Sequence, residues 1–296
     1  MTGTFILSLD TEIAWGTDMR DMGKYAHCFE SYRVILRRLI DLLDQYNIPT
    51  TWAVVGQLML KPTDKRSLIM ASPGLDMIEW FHAPYVVEWI RGAKTAHEIG
   101  THTFSHIYTD DPDNTQEVWE YELQQVAKLH RQLKLPVARS IVYPRNQIKY
   151  LDTLSKYGII AYRGIEGNRP RERRGIAHLL DRALALQPPT YNLDACKVSD
   201  KLVNLPASQF LLAYDGIRSR IPTASRVRQA RLGMEQAAEK HELYHLWFHP
   251  FNLGTSPRMF EALEQILKMA ASMREQGKLQ VLTMEQAAQN ILTLKN

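Results

Sequence analysis

The chain has 296 residues, long enough to bury one large core. Hydrophobic residues make up 45% and charged residues 23%, ordinary globular proportions that exclude a chain dominated by disorder. A net charge of +4 is too small to make nucleic acid the expected partner.

The first apolar run, Phe5 to Leu9, lies in a candidate strand Thr4–Leu9 and ends at Asp10. It has no basic flank and is too short for a signal peptide or a membrane span, and no other stretch approaches eighteen apolar residues. Strand residues two apart share a side, so extended geometry past Leu9 would set Asp10 beside Glu12. Two buried like charges need a cation or a proton between them, whereas two solvated carboxylates in a loop need nothing. Trp15 follows, a ring that can stack on a sugar or belong to the core.

Apolar residues at Tyr32, Ile35, Leu36, Leu39, Leu42 and Leu43 predict a helix over Tyr32–Gln45. Strands are expected at Thr50–Val55 and Glu98–Thr101, separated by a less regular stretch, Pro62–Pro84, with some helix. After Thr101 come His102 and His106. On a helical turn they would share one face, the spacing used for divalent metals, and Asp10 or Glu12 would complete a carboxylate–His–His set with an open position. His97 falls at the strand start and reads as structural.

A helix over Gln116–Leu133 and a strand Arg139–Val142 lead to Tyr143-Pro144-Arg145-Asn146. There Arg145 can pin a carboxylate, contact substrate, or simply be solvated in a Pro-containing turn. Strand Ile159–Tyr162 precedes an Arg- and Pro-bearing surface segment, Gly164–Pro189, and strand Leu202–Leu205 precedes a helix over Ala224–Lys240. In strand Leu243–Phe248, His245 and Trp247 share a side with His249. His249, at the strand's C-terminal end, is placed as a general acid, and His245 suits the core. Helix Pro257–Arg274, strand Leu279–Leu282 and helix Met284–Leu292 complete the chain.

Alternating strands and helices predict a mainly parallel sheet with helices outside, and eight strands suggest a closed or nearly closed barrel in one domain over 1–296, with a doubly wound sheet as the alternative that periodicity leaves open. Active sites in such folds form at the carboxyl ends of strands, where these four clusters fall.

The motifs resemble the polysaccharide deacetylase family, the carbohydrate esterases with the chitooligosaccharide deacetylase homology domain. Leu7 to Glu12, Thr50 to Gly56, His97 to His106 and Leu246 to His249 carry the resemblance, in the family's order. It implies a distorted (β/α) barrel of seven to eight mostly parallel strands, one divalent metal ion of the zinc type, and hydrolytic deacylation of an amino sugar or ester. Carried over, His102 and His106 become metal ligands, Asp10 the general base and His249 the general acid. Many members have two adjacent aspartates. Here Thr11 follows Asp10, so the acid-x-acid branch is closer and makes Glu12 the ligand, with the reverse assignment open. Tyr143 and Arg145 stand in place of the usual Arg-x-Pro-aromatic motif, and no fourth motif supplies a charged partner for the base.

Two cysteines, Cys28 and Cys196, cannot build a disulfide framework, so a reducing, cytoplasmic setting is expected. That setting favours a nucleotide- or lipid-linked sugar of surface-polysaccharide assembly over an extracellular polymer. Two Arg-rich stretches suit such phosphate: Arg163, Arg169, Arg171, Arg173 and Arg174, and then Arg218, Arg220, Arg226, Arg228 and Arg231. Solvated basic faces on a loop and a helix are the plainer explanation of either stretch. The rival functions are cleavage of a non-sugar amide on the same fold, or carbohydrate binding by a decayed site.

Overall fold

The computed structural model describes residues 2–65, 77–166 and 186–293. Chain order begins β1 (Gly3–Thr11), α1 (Met22–Glu30), α2 (Tyr32–Tyr46), β2 (Thr51–Val54), α3 (Ile78–Phe81) and α4 (Tyr85–Arg91). It continues with β3 (Glu98–Thr101), α5 (Gln116–Gln132), β4 (Ser140–Ile141), β5 (Ala161–Tyr162), β6 (Lys197–Ser199), β7 (Leu202–Asn204) and β8 (Gln209–Phe210). It ends with α6 (Thr223–Lys240), β9 (Leu243–Phe248), α7 (Pro257–Glu275), β10 (Leu279–Leu282) and α8 (Met284–Thr293). All eight expected strands occur, within two residues at either end, and the five expected long helices within one. The strands β6 and β8 and the helices α1 and α4 are additions, too short or too weakly periodic for the sequence pattern to reveal.

The sheet runs β6-β7-β5-β4-β3-β2-β1-β9-β8, with β10 also pairing β1. Every pairing is parallel except β6 with β7. Within the run 202–210, β7 bonds to β5 and β8 bonds to β9, so the sheet curls back on itself. This is the expected distorted (β/α) barrel, mostly parallel with helices outside.

All nine residues of β1 are buried, as suits a parallel strand enclosed on both faces. Phe5, Leu7 and Leu9 join the large core beneath α2 and α7, with Leu36, Leu39, Leu263 and Leu267. Ile6 packs in a second cluster with Ala53, Val142, Ala161, Val203 and Leu205, which Met284, Ala287, Ala288 and Ile291 of α8 cover. At the N-terminal ends of the strands, Glu98 accepts from the Thr51 hydroxyl at 2.7 Å and from Glu285 N–H at 2.9 Å, tying α8 down. Asn47, left-handed at φ 48°, ends α2, a conformation Asn tolerates better than most residues. Among the described residues, no helix is long and apolar enough to cross a membrane.

Candidate active site

Asp10 occupies the last turn of the β1 pleat, and Glu12 lies one residue beyond the strand. Both are 4% exposed, and both sit at the carboxyl end of the barrel. Arg163, in the chain leaving β5, is fully buried and reaches across to Asp10: Nη1 donates to Oδ1 at 2.5 Å and Nη2 to Oδ2 at 2.8 Å. Burial alone would raise the Asp10 pKa, but the Arg163 charge and hydrogen bonds win and hold it below the ordinary value. Asp10 is therefore an anion with both oxygens fixed.

A second buried line supports Arg163. Its Nη1 also donates to Ser8 Oγ at 3.2 Å, and Ser8 Oγ lies 2.8 Å from His245 Nε2. Since His245 Nδ1 faces the Leu205 carbonyl at 3.1 Å, Nδ1 carries the proton and Nε2 accepts from the Ser8 hydroxyl. Burial, assisted by the Arg163 charge, lowers the His245 pKa to about 3, so this imidazole is neutral. The Arg163 guanidinium also stacks 4.0 Å from the Trp247 ring.

Glu12 receives the two histidines. His102 Nε2 lies 3.1 Å and His106 Nε2 2.8 Å from Glu12 Oε2. The ligand atoms of these three buried residues lie within 4.8 Å of one another. His102 Nδ1 donates to the Val142 carbonyl at 2.8 Å, which leaves a lone pair on Nε2 when the ring is neutral. A lone pair then faces a carboxylate oxygen, and only a proton or a cation relieves that contact. Burial works against charge on His102, yet the hydrogen bond and charges of Glu12 and Asp10 raise its pKa overall. For His106 burial prevails and lowers it. Glu12 is pushed up by burial but held well below the usual carboxylate range by the His249 and His106 charges and the histidine hydrogen bonds. Two nitrogens and one carboxylate oxygen in this cluster fit a divalent metal with an open position.

The His102–His106 segment is not the helical turn that its spacing suggests. It is an extended loop in which Thr103 (φ 63°) and His106 (φ 59°) are left-handed. Gly56 N–H donates to the Thr103 carbonyl at 3.0 Å and Gln57 N–H to the Phe104 carbonyl at 2.7 Å. A Cβ on Gly56 would lie 2.6 Å from the Phe104 ring, so glycine is required for this approach. From the other side, Glu122 on α5 accepts from Phe104 N–H at 2.8 Å, Ser105 N–H at 2.7 Å and the Ser105 hydroxyl at 2.6 Å.

His249 closes the ring of groups. Its Nε2 is 3.4 Å from Glu12 Oε1 and 3.9 Å from Asp10 Oδ2, and its side chain is 22% exposed. Asn252 Nδ2 lies 3.4 Å from His249 Nδ1. Turned over, that amide would offer an acceptor instead of a donor, so Asn252 can serve either protonation state.

Three expectations change. Arg145 does not pin a carboxylate; Arg163 does, while the exposed Arg145 lies 4.2 Å over the Tyr108 ring, which itself edges His106 at 5.5 Å. Tyr143 is fully buried, stacked 5.0 Å from Trp119 with its hydroxyl on the Lys149 carbonyl, so its side chain is unavailable to substrate. The residue after it is Pro144, which has no N–H to offer an oxyanion. Nor are all the described arginines of the two Arg-rich stretches free for a ligand. Arg163 is committed to Asp10 and Arg226 is buried, donating to the carbonyls of Leu212, Ala213 and Arg218. Arg231 pairs with Glu235 at 2.9 Å, and Arg169, Arg171, Arg173 and Arg174 lie outside the described residues. Trp15 is partly buried, its indole N–H donating to the Phe81 carbonyl at 2.9 Å.

The profile of the polysaccharide deacetylase family matches residues 26–158. Among solved structures, a putative polysaccharide deacetylase from Mycobacterium smegmatis is similar at TM-score 0.67 and 17% identity, covering 100% of this chain and 95% of that one. A probable polysaccharide deacetylase from Pseudomonas aeruginosa PAO1 follows at 0.59 and 12%, covering 97% and 89%. A PuuE allantoinase is similar at 0.58 and 12%, covering 97% and 88%. These identities speak to fold alone. No curated protein matches the sequence. Residues 26–158 thus resemble the polysaccharide deacetylase family in sequence, and the chain shares the fold of these structures along its length.

Proposed function

We propose that the 296 residues form one metal-dependent hydrolase domain that removes an acyl group, acetyl in the first instance, from an amino sugar. The observation that carries this reading is the convergence of Glu12, His102 and His106 beside an Asp10 already anchored by Arg163. Glu12, His102 and His106 would hold one divalent ion, of the zinc type. When bound, such an ion acidifies water and polarises an acyl carbonyl. Asp10, ionised and unable to rotate, takes the proton of the attacking water. His249 stands where it can hand a proton to the departing amine, and Asn252 stabilises its ring in either state. The products are the carboxylic acid and the free amine.

The substrate we favour is a nucleotide- or lipid-linked sugar of O-antigen or capsule assembly in the cytoplasm, where the free Cys28 and Cys196 remain reduced. Arg145 supports a phosphate-bearing ligand, because its guanidinium is exposed over Tyr108 beside His106. The partly buried Trp15 ring, tethered by its N–H to the Phe81 carbonyl, is the ring we assign to stack on the sugar.

The test is metal content and acetate release from acetylated amino sugars, free and phosphorylated, for wild type and His102→Ala. We expect about one divalent ion per chain in the wild type, and loss of both metal and acetate release in the variant. Unchanged metal and hydrolysis in His102→Ala would sink the assignment, and metal without acetate release would redirect it to another acyl group or amide.

A further inference from the structure

We infer that Glu122 is the positioning residue of the site: it sets the β3–α5 loop so that His102 and His106 meet on Glu12. The inference rests on the metal reading above. Glu122 is 4% exposed on the buried face of α5, beside Trp119, Leu123 and Val126. Nothing in that apolar setting accounts for a carboxylate except what it holds. Its Oε2 accepts the N–H groups of Phe104 and Ser105, and its Oε1 accepts the Ser105 hydroxyl, all within 2.6–2.8 Å.

The loop is held from two sides. Carbonyls of Thr103 and Phe104 are taken by the N–H groups of Gly56 and Gln57, from the exit of β2, while the N–H groups of Phe104 and Ser105 and the Ser105 hydroxyl go to Glu122. The segment so clamped lies between the two histidines. It contains left-handed residues at Thr103 and His106, which a β-branched threonine and a histidine adopt rarely unless the surroundings dictate it. Backbone there cannot relax without swinging both imidazoles, whose Nε2 atoms share one Glu12 oxygen. Partners that orient metal ligands typically affect metal affinity 10- to 100-fold when removed.

Glu122→Ala, Glu122→Asp and Glu122→Gln separate this role from general stability. Amide hydrogen exchange at residues 103–106 is measured on the metal-free proteins, and Co(II) and Zn(II) affinity by titration, with the Co(II) visible spectrum. Glutamine can accept both N–H groups on its oxygen and donate to Ser105 Oγ, so it should keep exchange and affinity within about threefold. Alanine and the shorter aspartate should speed exchange at least about tenfold, weaken both metals about 10- to 100-fold and alter the Co(II) spectrum. Should alanine fail to fold, aspartate carries the test. Folded variants with wild-type exchange and affinity would overturn the inference. A wild type that binds neither metal would defeat the metal reading instead, while exchange in the metal-free proteins would still decide whether Glu122 clamps the loop.

Discussion

Arg163 and Asp10 form a fully buried, bidentate pair, and the geometry separates arginine from lysine. A lysine supplies one point charge where the guanidinium supplies a planar fork. Arg163→Lys should therefore lower kcat about 10²-fold, with KM changed less than about threefold, because the base loses its orientation and not its charge. Removing the cation altogether strands a buried carboxylate, so Arg163→Ala should cost on the order of 3–5 kcal/mol by urea unfolding. Steady-state kinetics on an acetylated amino sugar check the first, and wild-type kcat in Arg163→Lys would refute it. The rule that chemistry sits at strand ends marked Asp10, His102, His106 and His249 as candidates, and the fold brings these four side chains together around Glu12. Applied to the strand ending at Tyr162, the same rule selects Arg163, but the neighbouring arginines disguise it as part of a basic stretch. Glu122 also left a trace: an acid three residues from Trp119 on the apolar stripe of a helix. The substrate role of Tyr143 and the carboxylate-pinning role of Arg145 misled because sequence order says nothing about which side of a tight turn faces the site, and Arg145 itself turns left-handed at φ 52°.

At the scale of elements, β3 links two ends of the barrel with opposite tasks. Its exit presents His102, while its entry places His97 and Glu98 beneath α8 and against Trp52. Both ring nitrogens of His97 are buried without a hydrogen-bond partner, and burial, only partly offset by Asp44, lowers its pKa to about 4. The sign follows from linkage. Between an unfolded pKa near 6.5 and the folded value of about 4, the unfolded chain binds a proton that the folded one refuses, so stability falls as pH falls through that window. At pH 5 this histidine should cost about 1–2 kcal/mol relative to pH 7, allowing for its partial exposure. Urea unfolding at the two pH values should show His97→Asn losing less stability than wild type by that amount, and equal losses would refute the assignment. The expectation that His97 lies apart from the metal cluster followed from its place at the strand start. The loop after β3 was harder to read, because an i, i+4 histidine pair has the same spacing whether the chain coils or, as here, is pinned from two sides.

Across the whole molecule, the candidate metal site joins segments that are distant in sequence. Glu12 follows directly on β1, the strand that pairs with β2, β9 and β10, and the histidines come from the loop after β3, with His102 ninety residues further on. Strand–helix alternation was sufficient to predict a mainly parallel sheet with helices outside, whereas the choice of a barrel over a doubly wound sheet came from the strand count and the family resemblance. How the circle closes was not legible, since the run 202–210 changes partners from β5 to β9 within a few residues and β8 contributes only two. A ligand gripping both segments in the folded state alone should stabilise the entire barrel by mass action. At 100 times its dissociation constant, a bound metal adds about 2.7 kcal/mol, which in a chain of this size corresponds to a Tm rise of several degrees. Thermal melts of metal-stripped protein, with and without added zinc, should show that rise and its loss in Glu12→Gln and His102→Ala. His249→Ala should keep most of it, because His249 approaches Glu12 at 3.4 Å without belonging to the three-ligand cluster. A wild-type Tm indifferent to metal would mean that Glu12, His102 and His106 share a proton and not an ion. An equally large loss in His249→Ala would make His249 a fourth ligand and take away its freedom to act as the acid.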